Sequence, residues 1–187
     1  YNAGEAMLTG DKELAYKVIS RERRVNAFEL KIDSDCEDII ALYAPVAIDL
    51  RFVLAMYKIN TNLERLGDFA ESIARFAGNL PEGEPIDPQL VKETRVEEML
   101  SELLSMISLT KEAFEKESSE IASRIFLKDN LIDEINHNST AIIAKYIEEH
   151  KGSALAGLYM AGVIPENGTF RRSLYEYSGR AHFLSGR

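Results

Sequence analysis

The feature that most constrains this 187-residue chain is a pair of long apolar stripes at helical spacing, separated by Pro45. The stripes predict two amphipathic helices, over about 11–43 and 47–77. Asp11 can cap the first helix, and Pro45 prevents its continuation because the residue before a proline avoids the α region. The apolar positions are Leu14, Val18, Val25, Phe28, Ile32 and Ile39 in the first helix and Leu63, Leu66, Ala70, Ile73 and Ala77 in the second.

The pattern restarts after residues 81–88, a segment with three prolines that predicts a linker. Further helices are predicted over about 90–116 and 118–150, with Ser118 as a cap. Helices of about 30 residues span roughly 45 Å and need neighbours along their length, which predicts antiparallel bundles. Apolar and polar positions of 14–28 recur in 121–135, which indicates a duplicated unit. We therefore predict a first repeat over 1–80, a linker over 81–88, a second repeat over 89–164 and an aberrant tail over 165–187.

Charge and composition narrow the classes of partner. The net charge of −9 disfavours nucleic acid and favours divalent cations and basic protein surfaces. One cysteine, the absence of a membrane-length apolar run and the absence of a signal peptide predict a cytoplasmic protein. The opening residues 1–4 resemble the interior of an element, so we expect further residues upstream.

Carboxylates recur in pairs four residues apart. Glu64 and Asp68 project from one helical face, nearly opposite the second stripe, so we expect them on the outer surface of the bundle. Similar pairs are Glu29/Asp33 and Asp129/Asp133, and Glu22/Asn26 is a weaker version. Such pairs can bridge metal ions, but acidic pairs are also common on solvated helices, so the spacing alone leaves both interpretations open.

Signs of catalysis are sparse. Glu134 and His137 form an E-x-x-H, the helical half of a di-iron carboxylate site, but such a site needs two of them and the chain has one. A Walker-type phosphate loop and a nucleophile with its base are both missing. We predict no catalytic residues, with a di-iron oxidase or ferritin-like protein as the alternative and a metal-free helical module as a third interpretation.

Two segments resemble a known family. Residues 45–51 read P-V-A-I-D-L-R and residues 58–68 read K-I-N-T-N-L-E-R-L-G-D, similar to the PhoU signature P-V-A-x-D-L-R … K-I-x-x-D-L-E-R-I-G-D. Gly10, Asp11, Leu14 and Ala15 upstream also match, so the resemblance covers most of residues 10–77. One departure is Asn62, where the family usually has Asp, which weakens one set of ligands.

The resemblance implies an all-α fold of two tandem antiparallel three-helix bundles related by pseudo-twofold symmetry. It also implies surface clusters of iron, zinc, manganese or magnesium on E(D)-x-x-x-D motifs. Those motifs fall on Glu64/Asp68, Glu22/Asn26 and Asp129/Asp133, and Glu29/Asp33 matches the same pattern.

The function implied is negative regulation of phosphate-starvation signalling and phosphate uptake. The family acts as an adaptor between a sensor histidine kinase and the ATPase of the phosphate ABC transporter. We therefore expect a homodimer that has no enzymatic activity and reaches the membrane only through its partners.

The tail departs from the expected second repeat, because residues 165–173 have no apolar period and no E-R-x-G-D. Back-translated and read one nucleotide later, residues 165–180 can encode R-K-M-E-R-F-G-D-H-S-T-N-I-A-E, which is the missing signature. We predict a one-base insertion near Pro165, in the gene or in the recorded sequence. If the polypeptide has this tail, we expect a crippled second metal site and an exposed apolar surface.

Overall fold

The structure, a computed structural model, describes residues 1–80, 86–116, 118–150 and 154–164. For six residues inside helices, Asp129 among them, only the backbone is described. The predicted linker therefore lies mostly outside the described residues, and the tail over 165–187 lies wholly outside them.

The fold is all-α, as predicted, and the described residues contain no strand. Their helices, in chain order, are α1 (Asn2–Thr9), α2 (Lys12–Tyr43), α3 (Ala47–Asn79), α4 (Pro88–Thr94), α5 (Val96–Glu115), α6 (Ser119–Leu127), α7 (Asp129–Glu149) and α8 (Ala154–Val163). No helix among these residues is both long enough and apolar enough to cross a membrane.

Helices α2 and α3 form a long antiparallel hairpin with the bounds that the sequence predicts. Asp11 caps α2, since its Oδ1 accepts a hydrogen bond from the Leu14 amide at 2.9 Å. At the other end Ala44 adopts a left-handed conformation with φ 45°, and Pro45 excludes a further helical turn. The short connection forces α3 to return along α2, so residues on their facing sides meet along both helices.

Helix α1 covers only the Gly10 end of this hairpin. Ala6, Met7, Ala74 and Ala77 are fully buried there, and Gly10 supplies the left-handed turn into α2 with φ 71°. A helix of eight residues is about 12 Å long, far shorter than the hairpin. The distal half of the hairpin is therefore paired rather than bundled within the described part of the chain.

Only some residues of the two apolar stripes therefore lie in the hydrophobic core. Ile73 and Ala77 are buried as predicted, whereas Phe28 is 58% exposed and Leu63 is 48% exposed. Their assignment to the core was wrong, because a stripe becomes core only where a third helix packs on it. Helix α1 ends before it reaches these two positions.

The second half breaks both of its predicted long helices. The helix expected over 90–116 is interrupted at Arg95, which adopts φ 54°, and the helix expected over 118–150 is interrupted at Lys128. The Arg95 guanidinium binds Glu98 and Glu134 at 2.8 Å each, which ties the α4–α5 corner to α7. Ser118 caps α6 as predicted, through the Ile121 amide. The core between these helices includes Val96, Met99, Met106, Ile125 and Ile132.

Candidate metal centre

The facing sides of α2 and α3 carry two polar strips where a helical hairpin normally has apolar residues. Steps of three or four residues keep each strip on one helical face. The α2 strip consists of Glu22, Asn26, Glu29 and Asp33, and the α3 strip consists of Asn60, Glu64, Asp68 and Glu71. We call the two together the acidic seam. Because the helices are antiparallel, Glu22 meets Asp68 and Glu71, while Asp33 meets Asn60.

Three carboxylates converge at the Glu22 end of the acidic seam. Glu22, Asp68 and Glu71 each offer a carboxylate oxygen, and these oxygens all lie within 4.8 Å of one another. Glu22 and Glu71 are half-buried and Asp68 is exposed, so the group opens to solvent on one side. Three oxygens from two helices at this separation can hold one hard cation between them.

Asn60 fixes the opposite end of the acidic seam. Its Nδ2 donates to the Glu29 carbonyl oxygen and to Asp33 Oδ1, both at 2.8 Å, and Asn60 is only 5% exposed. The Asn60 amide therefore joins the two helices. Because it is uncharged, it does not neutralise the negative charge of Asp33. Asp33 is thus bonded to a neutral amide, whereas Glu22, Asp68 and Glu71 face one another.

Glu64 lies at the middle of the acidic seam, and its pKa responds to the neighbouring charges. Burial, a hydrogen bond with Asp68 and repulsion from the charges of Asp68 and Glu29 together raise the pKa of Glu64 to about 7. Arg65 opposes this rise only weakly, as the last contribution. A carboxyl that holds its proton near neutral pH is partly shielded from water and lies close to other carboxylates, and a cation bound beside it would favour its charged form.

One buried oxygen in the acidic seam also lacks a donor. Asn26 Oδ1 is buried and has no hydrogen-bond partner within the described part of the chain. A buried acceptor without a partner costs about 1–3 kcal/mol, and a cation would satisfy it. The donors are carboxylate and amide oxygens, which suit magnesium, manganese or another hard ion. The residues of the acidic seam therefore fit a metal ion, and Glu22, Asn26, Asp68 and Glu71 would be the ones to hold it.

Gly67 brings the two strips close together. A Cβ at this position would lie 3.1 Å from Val25 Cγ1, tighter than an ordinary van der Waals contact. The missing side chain lets α3 approach α2 between Glu64 and Asp68, which are the acidic positions of the α3 strip on either side of it.

The structure thus gathers six of the predicted site residues. The residues Glu22, Asn26, Glu29, Asp33, Glu64 and Asp68 all lie in the acidic seam. The expected position of Glu64 and Asp68 on the outer surface was only partly right, because Asp68 is exposed whereas Glu64 is half-buried. Helical angle within one helix cannot reveal the second strip that faces it.

The remaining pair stays apart from this group. Asp133 is exposed on α7 in the second half of the chain, and the side chain of Asp129 lies outside the described residues. The E-x-x-H of the di-iron alternative also faces outward, since Glu134 is bonded to Arg95 and the His137 side chain is exposed. An interior di-iron site needs these side chains to point into the bundle, so the geometry does not support that alternative.

The sequence prediction assigned no role to Arg75, and it used Gly67 only as part of the family signature. Arg75 lies one turn beyond Glu71, and its Nη2 contacts Glu71 Oε1 at 2.6 Å. The spacing of Arg75 could have identified it from the sequence, since it continues the α3 strip by one helical turn. For Gly67 the signal was a glycine inside a helix, a position that glycine destabilises unless close packing requires it.

Comparisons with known proteins agree with this fold. The PhoU domain model matches residues 2–77 and again residues 96–163. A phosphate-specific transport system accessory protein PhoU homolog from Aquifex aeolicus is 32% identical over 163 residues, which covers 86% of this chain and 71% of that protein. The accessory protein PhoU from Escherichia coli is 30% identical over 175 residues, covering 92% of this chain and 71% of that protein.

Two solved structures are also similar. The phosphate transport system regulatory protein PhoU from Streptococcus pneumoniae aligns with a TM-score of 0.80 and 26% identity, over 99% of this chain and 86% of that one. PhoU from Pseudomonas aeruginosa aligns with a TM-score of 0.79 and 25% identity, over 98% of this chain and 83% of that one. The family model matches most of the chain and the two relatives are at least 30% identical, so this chain belongs to the PhoU family.

Proposed function

We propose that this chain is a regulatory accessory protein of phosphate transport that binds metal ions in the acidic seam between α2 and α3. Family membership supports the regulatory role, since its relatives are named accessory proteins of the phosphate-specific transport system. The observation that carries the metal proposal is the convergence of Glu22, Asp68 and Glu71 from two helices. No reaction chemistry is assigned to the site.

The two helices give the metal a structural consequence. Without a cation, like charges face one another across the contact between α2 and α3, because Glu22 on α2 lies against Asp68 and Glu71 on α3. A bound cation would replace that repulsion with attraction and tighten the hairpin. Metal binding would therefore set how rigidly the α2–α3 hairpin is presented to partner proteins.

Metal content of the purified protein tests the proposal most directly. The protein should bind manganese, magnesium, iron or zinc near stoichiometry, and the double variant Glu64→Gln/Asp68→Asn should lose most of it. A matched control is Glu37→Gln/Asp38→Asn, which removes the same charge from two exposed positions on α2. Equal metal content in all three proteins would reject the acidic seam as the site.

We propose further that the chain acts as an adaptor between a sensor histidine kinase and the ATPase of the phosphate transporter, as a negative regulator and as a homodimer. The absence of a nucleophile–base pair in the sequence and the family relationship support an adaptor over an enzyme. A phosphate-starvation reporter in cells lacking the native protein tests this role. Wild-type protein should restore repression of the reporter, and the variant Glu64→Gln/Asp68→Asn should not. Repression by that variant would favour a metal-free helical module.

The second half of the chain offers a proposed second site at Asp129/Asp133. Asn136, which is at the position equivalent to Glu29 under the 107-residue offset, has a buried Oδ1 without a hydrogen-bond partner among the described residues. A polar strip on α7 that resembles the one on α2 would need a facing acidic helix. The shifted reading of residues 165–180 would supply one.

The one-base insertion is tested by sequencing the gene and by the intact mass of the protein. A gene that encodes the shifted signature would restore a second acidic seam. A clean gene together with a mass that matches the present tail would remove the frameshift proposal.

A further inference from the structure

The salt bridge between Arg75 and Glu71 lies at the end of the acidic seam where the carboxylates converge. Arg75 Nη2 and Glu71 Oε1 are 2.6 Å apart, with the arginine side chain 61% exposed and the glutamate side chain 19% exposed. Glu71 is one of the three carboxylates whose oxygens lie within 4.8 Å of one another. One of its two oxygens is therefore already engaged by a cation that belongs to the protein.

We propose that Arg75 is a built-in competitor for the metal, which holds Glu71 in the metal-free protein and so sets the metal concentration at which the acidic seam fills. The inference rests on the proposed metal site. Arg75 is a positioning residue in this scheme, since it acts on the metal through Glu71 and does not bind the ion itself.

The physical argument has two parts. In the metal-free protein the guanidinium offsets part of the repulsion among Glu22, Asp68 and Glu71, which stabilises the folded chain. When a cation arrives, the same guanidinium opposes it, because it occupies a lone pair of Glu71 and adds a like charge beside the ion. Arg75 thus stabilises the metal-free form and weakens metal binding.

Arg65 is a positive charge near the acidic seam that does not have this geometry. Arg65 is on the same helix and lowers the pKa of Glu64 through its charge alone, and this effect is the smallest of those that act on that carboxyl. Replacing Arg65 therefore removes one unit of charge near the acidic seam without breaking the Arg75–Glu71 contact. This makes Arg65→Gln the matched control for Arg75→Gln.

The test is a manganese titration of the metal-free protein, with free Mn²⁺ measured by electron paramagnetic resonance. Arg75→Gln should bind Mn²⁺ about two- to fivefold more tightly than wild type, the range expected for loss of one exposed ion pair. Arg65→Gln should change the affinity by less than about twofold. Arg75→Lys keeps the charge and should stay close to wild type.

A second pair of variants tests whether the effect passes through Glu71. Glu71→Gln should weaken Mn²⁺ binding, and adding Arg75→Gln to it should give no further gain, since the competitor has lost its target. An equal gain in both backgrounds would show a general charge effect and overturn the role of Arg75.

The remaining outcomes are also decisive. Weaker binding by Arg75→Gln, together with a lower melting temperature, would mean that Arg75 is only structural and would overturn the inference. If Arg75→Gln binds Mn²⁺ with wild-type affinity, Arg75 does not compete with the metal and the inference is overturned. The proposed metal site would be unaffected by that result. If wild-type protein binds no Mn²⁺, the proposed metal site fails and the inference fails with it.

Discussion

Replacing Glu64 by Gln should stabilise the metal-free protein at alkaline pH and leave it unchanged at acidic pH. In the folded chain the pKa of Glu64 is raised from 4.5 to about 7, chiefly by burial and then by Asp68. Folding therefore favours the protonated carboxyl. The stability associated with this proton is fully present below pH 4.5 and is lost as the pH rises through about 7. Gln resembles the protonated form at every pH and does not titrate.

The size of the stability difference follows from the shift in the pKa of Glu64. At about 1.4 kcal/mol per pKa unit, the full shift corresponds to about 3 kcal/mol of lost stability above pH 8. Glu64 is only half-buried, so solvent screens much of this, and we expect about 1 kcal/mol. For a chain of this size that difference raises the melting temperature by roughly 2–4 °C.

The assay is thermal and urea unfolding of wild type and Glu64→Gln at several pH values between 5 and 8.5, with a chelator present. The control is Glu37→Gln, an exposed carboxyl on α2 that lies outside the acidic seam. A stability difference that does not change between pH 5 and 8.5 would refute the reasoning. With saturating Mn²⁺ the order should reverse, because wild type gains binding energy that the variant lacks.

Three further results are expected from the same geometry. Asn60→Ala should lower the free energy of unfolding by about 2–3 kcal/mol in urea titrations, because Asp33 Oδ1 and the Glu29 carbonyl each lose the hydrogen bond from Asn60. A loss below about 0.5 kcal/mol would contradict this. Gly67→Ala should weaken Mn²⁺ binding several-fold in the same titration, because the new Cβ pushes Val25 and α2 away, and unchanged affinity would show that the helices can adjust. Its unfolding free energy should change by less than about 1 kcal/mol, since alanine favours the helix by about 0.5–1 kcal/mol. Saturating metal at about 100 times its dissociation constant should stabilise wild type by about 2.7 kcal/mol, and stabilisation of Glu64→Gln/Asp68→Asn by the same amount would place the metal elsewhere.

The hairpin itself was readable from the sequence. Asp11 and Pro45 delimit α2, and the helical spacing of apolar residues predicts both long helices with bounds close to those observed. These features depend on neighbours within a few residues, through capping, proline geometry and helical period. The acidic pairs were visible for the same reason, because residues four apart on one helix share a face.

Only the tertiary structure decided that the α2 strip faces the α3 strip. The sequence places Glu22 and Glu71 on different helices 49 positions apart, and only the antiparallel register brings their oxygens together with Asp68. Burial of the apolar stripes was decided in the same way, since Phe28 and Ile73 are equally apolar but only Ile73 lies where other helices cover it. Local spacing determines which residues share a face, and packing between helices determines what that face meets.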